Sequence, residues 1–138
     1  MATKRGSSGV VLVIEDDPAV RMVIELAVEA DGLVVHGEGN GKRALEWLEH
    51  NRPAIVLLDL DLPGVNGAVI AADVRQRYGQ SVPILVTSGL PNCRQIANRI
   101  GATGCLAKPF DLDVLTHFVR GAVIDAPPPK SEAAESKA

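Results

Sequence analysis

The 138-residue chain has the length of one ordinary globular domain. Hydrophobic residues make up 46% of it and aromatic residues only 3%, so aliphatic side chains must fill the core. Its 14 Lys and Arg against 17 Asp and Glu give a formal charge of −3, which argues against a direct nucleic-acid surface and against binding to anionic lipid. No stretch approaches the ~20 apolar residues that a membrane-spanning helix needs.

Five apolar runs rich in β-branched residues alternate with segments of helical period. The first four runs lack polar alternation, which suits strands buried on both faces of a parallel sheet. Asp17 followed by Pro18 predicts the cap and first turn of the first helix, and Asn40 predicts the cap of the second. The predicted strands cover residues 10–14, 33–36, 55–58, 84–86 and 104–107, and the last three helices begin near residues 66, 92 and 111.

This repeated strand–helix alternation predicts an α/β fold of the (βα)5 type, with a doubly wound parallel sheet and helices on both faces. We expect the folded domain to cover residues 10–122, after an N-terminal arm at 1–9 without a signal peptide. Residues 123–138, which contain three consecutive prolines, predict a disordered tail or linker stub.

The two cysteines, Cys93 and Cys105, are enough for one disulfide. Neither their spacing nor a core of this size requires a cross-link. We therefore expect both to be reduced thiols in a cytoplasmic protein.

Polar side chains interrupt the hydrophobic pattern at the carboxyl ends of four predicted strands. In a doubly wound sheet these ends meet at one cleft, where ligands bind. Clustered carboxylates repel one another unless a cation joins them, and oxygen-only ligands with retained waters favour Mg²⁺. The residues are Asp16 and Asp17 after the first strand, Asp59 and Asp61 after the third, Thr87 and Ser88 after the fourth, and Lys108 after the fifth.

The chemistry of this set fits phosphoryl transfer. A carboxylate can attack phosphorus to give an acyl phosphate, and the transferred group needs its oxygens neutralised by a metal, an ammonium and hydrogen-bond donors. Asp59 fits the nucleophile, Asp16 and Asp17 the Mg²⁺ site, Lys108 the counter-charge and Thr87 the donor.

Four motifs in this order resemble the receiver domain of bacterial response regulators, the CheY-like family. The resemblance covers about residues 10–122. The motifs are VLVIEDDP at 11–18, IVLLDLDLPGVNG at 55–67, LVTSG at 85–89 and AKPF at 107–110.

The resemblance implies a flavodoxin-like sheet of order 2-1-3-4-5 and a role for each residue of the site. Asp59 matches the phosphoacceptor, and Asp61 matches the residue whose backbone carbonyl contacts the metal. Thr87 matches the hydroxyl that turns toward the phosphoryl group, and its neighbour Ser88 is a candidate to assist it. Lys108 matches the lysine that contacts this group, and its bond to Pro109 is cis in the family. Asp16 and Asp17 match the acidic pair that holds Mg²⁺.

The resemblance also implies a signalling function. A sensor histidine kinase or a histidine phosphotransfer protein would pass its phosphoryl group to Asp59 in a Mg²⁺-dependent reaction. The domain would catalyse only its own phosphorylation and a slow autodephosphorylation. The surface of the fourth helix, fifth strand and fifth helix would then bind a downstream protein, as a monomer or as a phosphorylation-dependent dimer.

Two positions set this chain apart. Cys105 stands three residues before Lys108, where the family often has a Tyr or Phe whose ring rotation transmits the switch. Phosphorylation is therefore better supported than the usual readout. Asp61 places a negative charge near the expected phosphoryl group, and it either disfavours an incoming hydroxide or assists water as a general base.

Two other functions share part of this pattern. A phosphohydrolase of the haloacid-dehalogenase type also uses Asp-x-Asp, a Thr or Ser and a Lys, but its metal-binding acidic pair comes last in the chain instead of first. A degenerate receiver that only binds proteins would not need the intact set of site residues. The end of the chain leaves open a stand-alone regulator, a phosphate shuttle or a receiver from a longer kinase.

Overall fold

The computed structural model describes residues 9–125, and within them five strands alternate with five helices. The predicted tail from 126 onward and residues 1–8 of the predicted arm lie outside the described residues. The elements are β1 (Val10–Ile14), α1 (Pro18–Ala30), β2 (Val34–Glu38), α2 (Gly41–His50), β3 (Ile55–Asp59), α3 (Gly67–Tyr78), β4 (Ile84–Ser88), α4 (Cys93–Ile100), β5 (Gly104–Ala107) and α5 (Leu112–Asp125), with a 3-10 turn at Gly79–Ser81.

The strands form one parallel sheet of order β2-β1-β3-β4-β5, which confirms the predicted fold class. In its register Asp59 at the end of β3 lies beside Thr87 of β4. The chain order of the strands reverses between β1 and β3, so the carboxyl ends of these two strands flank the cleft where such sheets bind ligands. None of the helices in the described part of the chain combines the length and apolar character that a bilayer crossing requires.

The core consists of two layers, one on each face of the sheet. Side chains alternate along a strand, so Leu12 and Ile14 pack against α2, α3 and α4, whereas Val11 and Val13 pack against α1 and α5. This alternation is what assigns each polar residue at a strand end to one face of the sheet or the other.

The helix caps follow the sequence pattern. The Asp17 side chain accepts hydrogen bonds from the backbone N–H groups of Ala19 and Val20, which confirms it as the α1 cap. Asn40 caps α2 in the same way. Gly101 ends α4 in the left-handed conformation that glycine adopts without a steric penalty.

Some boundaries and burial patterns differ from expectation. The prediction that the second strand is buried on both faces is wrong, because β2 is an edge strand and Val34 is 63% exposed. α5 continues to Asp125, past the expected domain end at 122. The helix continues because Val123, within α5, is still partly buried and packs against the core.

The expectation of two reduced thiols is also wrong, because Cys93 and Cys105 form a disulfide. Their Cα atoms are 6.0 Å apart, inside the range of ordinary disulfides. The two cysteines are twelve positions apart in the sequence, and the sequence alone does not indicate their proximity, since α4 leads away from the sheet and the chain returns along β5.

Replacement of Ile70 by Ala should lower the free energy of unfolding by about 2–5 kcal/mol, because Ile70 is fully buried between α3 and the sheet. Val69 precedes it on α3 and is 52% exposed, so Val69→Ala is the matched control and should change stability by less than about 0.5 kcal/mol. Urea denaturation of both variants measures the difference. Equal losses would contradict the assignment of the core face of α3.

Candidate functional site

The backbone after β1 is fixed from two sides. The Glu15 N–H donates to the Glu38 carbonyl at 3.0 Å, and the Glu15 carbonyl accepts from Arg21 Nη1 at 2.7 Å. The Glu15 side chain is buried, and its Oε2 accepts from the Asp17 backbone N–H at 3.2 Å. A carboxylate that the sequence analysis did not assign is therefore held inside the cleft.

Asp59 is the last residue of β3 and is only 2% exposed. The Leu60 N–H donates to the Thr87 carbonyl at 2.9 Å, so the sheet pairing continues to the edge of the cleft. Asp59 Oδ1 accepts a hydrogen bond from the Asp61 N–H at 2.9 Å and lies 3.1 Å from Lys108 Nζ. The carboxylate is thus buried but stabilised by one ammonium and one backbone donor.

Lys108 reaches this carboxylate from the end of β5. Its backbone N–H donates to the Ser88 carbonyl at 2.8 Å, and its Nζ lies 3.5 Å from Glu15 Oε1 as well as 3.1 Å from Asp59 Oδ1. Burial alone lowers the pKa of Lys108, but the hydrogen bond and charge of Asp59 and the charges of Glu15 and Asp61 raise it above its ordinary value. Lys108 is therefore a fixed cation. Its bond to Pro109 is cis, which confirms that expectation.

Three carboxylates converge beside this ammonium. Oxygen atoms of Glu15, Asp16 and Asp59 all lie within 4.8 Å of one another. Asp17 is outside this group, because its exposed side chain is directed to the backbone at the start of α1. The geometry thus groups Asp16 with Glu15, whereas the sequence pattern paired Asp16 with Asp17.

The cluster is electrostatically strained without a cation. Burial, together with the charge and hydrogen bonding of Asp59, raises the pKa of Glu15 to about 7, against the lowering effect of the Asp17 N–H and of Lys108. Glu15 Oε1 is buried and accepts no hydrogen bond from the described residues. One ammonium faces three carboxylates, so negative charge is in excess.

These residues fit a hard divalent cation. The donors are all carboxylate oxygens, the ligand type that Mg²⁺ and Ca²⁺ prefer, and the buried Glu15 Oε1 acceptor is left for such an ion. Asp16 is exposed, so the site opens to solvent on one side and leaves room for bound waters. Few protein ligands with retained waters favour Mg²⁺ over Ca²⁺.

The remaining predicted residues surround this cluster in different ways. Thr87 is buried and has the same strand parity as Leu85, which places it on the α1 and α5 face with Asp59. Ser88 has the opposite parity, and its Oγ accepts from the Leu90 N–H at 3.0 Å, so it stabilises the loop after β4. Asp61 is exposed, and its Oδ2 accepts from the Gly89 N–H at 3.3 Å, which joins the loops after β3 and β4.

Glu15 is the residue that sequence reasoning missed. Strand alternation could have found it, because Val11 and Val13 point to the face that carries Asp59 and Glu15 continues this series. Asp17 was already recognisable as a helix cap before Pro18. A cap oxygen that binds backbone N–H groups is less available to a metal.

Two curated transcriptional regulators are similar in sequence to most of this chain. Escherichia coli (strain K12) DNA-binding transcriptional regulator NtrC is 32% identical over 116 residues, which are 83% of this chain and 25% of the relative. Streptomyces avermitilis transcriptional regulatory protein CseB is 34% identical over 112 residues, or 80% of this chain and 47% of the relative. The chain therefore spans a quarter to about half of the length of these curated relatives.

Solved structures have the same architecture. Vibrio cholerae chemotaxis protein CheY4 is 26% identical with a TM-score of 0.74, and the match covers 83% of this chain and 98% of that chain. The family model described as "Response regulator receiver domain" matches residues 11–120. This family is a signalling domain of two-component systems. Because the match includes every strand and every residue of the carboxylate cluster, the chain belongs to the response regulator receiver domain family.

Proposed function

We propose that the chain accepts a phosphoryl group on Asp59 from a partner histidine kinase or histidine phosphotransfer protein, in the cytoplasm. The observation that carries this proposal is the buried Asp59 carboxylate held 3.1 Å from Lys108 Nζ, beside two further carboxylates. A buried carboxylate with a fixed cation and a surplus of acidic neighbours is costly for stability, so a catalytic role explains why it is there.

In the proposed reaction a carboxylate oxygen of Asp59 attacks phosphorus as the bond to the donor imidazole nitrogen breaks. Lys108 stabilises the negative charge on the transferred group, and the Asp61 N–H orients the nucleophile. We assign Glu15, Asp16 and Asp59 to the Mg²⁺ site, with Glu15 in the place first given to Asp17. When bound, Mg²⁺ would neutralise the carboxylates and the phosphoryl oxygens. The Asp61 backbone carbonyl stays a predicted fourth ligand.

The product would be an acyl phosphate with about 1.5 to 2 negative charges at the end of β3. Thr87, which neighbours Asp59 in the sheet, would turn to donate to it. The surface formed by α4, β5 and α5 would then shift in population and bind a downstream protein. The net charge of −3 offers no basic surface, so the direct partner of this domain is proposed to be a protein.

An apolar surface beside the cleft could serve as the docking site of the donor protein. An apolar groove lies between α1 and the segment after β5, and it is lined by Val20, Val23, Pro109 and Phe110 and by the stem of Lys108. Met22 and Leu26 on α1 add exposed apolar area, each being 59% exposed. A partner that covers this groove would present its phosphohistidine to Asp59.

Incubation with acetyl phosphate and Mg²⁺ should add one phosphoryl group to the chain. The Asp59→Asn variant should gain none, because an amide is a poor nucleophile, and Lys108→Ala should be phosphorylated about 100-fold more slowly. Asp73, which pairs with Arg77 on α3 far from the cleft, supplies the control variant Asp73→Asn with unchanged phosphorylation. Intact-protein mass spectrometry measures the gain. An equal gain in Asp59→Asn, or rapid turnover of small phosphate esters, would refute the proposal.

The proposed ligand set predicts that Asp16→Asn lowers the affinity for Mg²⁺ by at least about tenfold. Asp17→Asn should change it by less than about threefold, because Asn also caps helices and keeps the α1 start intact. Isothermal titration calorimetry with Mg²⁺ measures both. If Asp17→Asn loses as much affinity for Mg²⁺ as Asp16→Asn, the ligand set is wrong and Asp16 and Asp17 hold the ion together, as predicted from the sequence.

Without divalent cations, Glu15→Gln should stabilise the protein at pH 8 by about 2–3 kcal/mol. The pKa of Glu15 rises from 4.5 to about 7 on folding, so the folded protein binds more protons between these values and stability falls as the pH rises through them. At pH 4 the advantage of Glu15→Gln should nearly vanish, since the carboxyl is mostly neutral in both states.

The control for this pH dependence is Glu29→Gln, at an exposed position on α1. Thermal melts in EDTA at pH 4 and pH 8 provide the comparison. A Glu15→Gln variant no more stable than Glu29→Gln at pH 8 would show that the carboxylate cluster carries no such strain.

A further inference from the structure

The two cysteines lie where α4 meets the sheet. Cys93 is the first residue of α4 and is 3% exposed, whereas Cys105 is the second residue of β5 and is partly exposed. Their disulfide joins the start of the helix to the edge strand of the sheet. They are the two cysteines of the chain, so no other thiol competes for this pairing.

The cross-link is close to the proposed phosphorylation site in the sheet register. Cys105 pairs with Val86 of β4, and the next pair along the same two strands joins Leu106 to Thr87. On the other side, only residues 89–92 connect β4 to Cys93. The start of α4 is therefore held to the sheet both by this short loop and by the disulfide.

The noncovalent attachment of α4 is weak. Only two small residues of this eight-residue helix, Cys93 and Ala97, are fully buried. The N-cap residue Asn92 makes no side-chain capping hydrogen bond, unlike Asp17 and Asn40. Few buried contacts and an uncapped end mark a segment of low local stability. The disulfide thus adds a covalent link at the end of α4 that has no side-chain cap.

We propose that Cys93 and Cys105 form a reversible redox site, and that its oxidation clamps α4 to β5. Reduction would release the start of α4. Disulfides in a reducing cytoplasm are usually transient or redox-sensing, so a pair of this kind in a cytoplasmic domain is suited to regulation. Oxidation would also weaken the response of α4 to phosphorylation of Asp59. This part of the inference rests on the proposed function.

The oxidation requires a low-molecular-weight disulfide of the glutathione type. The more accessible Cys105 thiolate attacks one sulfur of this oxidant, which forms a mixed disulfide and releases one thiolate. The Cys93 thiolate then attacks Cys105 Sγ and displaces the second thiolate. Two protein thiols and one small disulfide thereby become one protein disulfide and two small thiols, with the two protons passed to the leaving thiolates.

The test uses the full chain equilibrated in buffers of reduced and oxidised glutathione. Alkylation followed by mass spectrometry should show two free thiols in the reduced protein and none in the oxidised monomer, which is lighter by two hydrogens. Hydrogen exchange should then show amides of α4 exchanging at least about tenfold more slowly in the oxidised protein. Amides of α2 on the same face of the sheet serve as the internal control and should not change.

Two variants make the test specific. The double variant Cys93→Ser with Cys105→Ser should exchange like the reduced protein in every buffer. The single variant Cys105→Ser should form no intramolecular disulfide and at most a mixed disulfide with glutathione, which separates a native pairing from general oxidation. Thiols that stay free in oxidised glutathione, or an oxidised monomer with unchanged α4 exchange, would overturn the inference.

Acetyl phosphate added to both redox forms separates this inference from the proposed function. Phosphorylation should change α4 exchange more in the reduced form than in the oxidised form, and an equal change in both would overturn the proposed link between redox state and response. If neither form gains a phosphoryl group, the chemistry assigned to Asp59 fails. Hydrogen exchange of the α4 amides in the unphosphorylated protein would then still test the redox clamp.

Discussion

The buried contact between Asp59 and Lys108 is the interaction on which the site depends. A carboxylate that is 2% exposed cannot keep its charge without a partner, and Lys108 Nζ at 3.1 Å supplies one. The two residues come from strands that are not neighbours, since β4 lies between β3 and β5. The contact therefore forms only when the sheet has the correct order and the Lys108 backbone is fixed by its bond to the Ser88 carbonyl. Fold and site are thus specified together.

This arrangement leaves the cleft with more negative charge than one ammonium can balance. Glu15 and Asp16 bring carboxylate oxygens within 4.8 Å of those of Asp59, and the raised pKa of Glu15 shows that the cluster favours a proton where a cation is absent. A divalent cation would relieve the repulsion and an incoming phosphoryl group would then find a neutralised site. Under the proposed function, the excess charge that destabilises the isolated fold would be the same charge that binds the cation, as is common where function and stability compete.

Most of the fold could be predicted from the sequence, because apolar runs, helix periodicity and caps such as Asp17 and Asn40 are local patterns. The exposure of β2 could not, since it depends on which strand lies at the edge. At the site, Asp16, Asp59, Thr87 and Lys108 follow directly from the strand ends. The choice between Glu15 and Asp17 depends on the direction in which each acidic side chain points. Strand alternation directs Glu15 into the cleft, and a capping hydrogen bond directs Asp17 to the start of α1.

The pairing of the two cysteines also could not be predicted from local sequence patterns, and it bears on the proposed signalling. Cys105 occupies the position where related receivers often carry a ring, and on sequence alone its small side chain suggests a lost element of the switch. In the fold it faces α4 and is joined to Cys93, so the same position provides a covalent link in place of an aromatic contact. A ring can rotate, whereas a disulfide holds until it is reduced. Under the proposed function, transmission from Thr87 to α4 would therefore depend on this bond, which lies one residue pair away along β4 and β5.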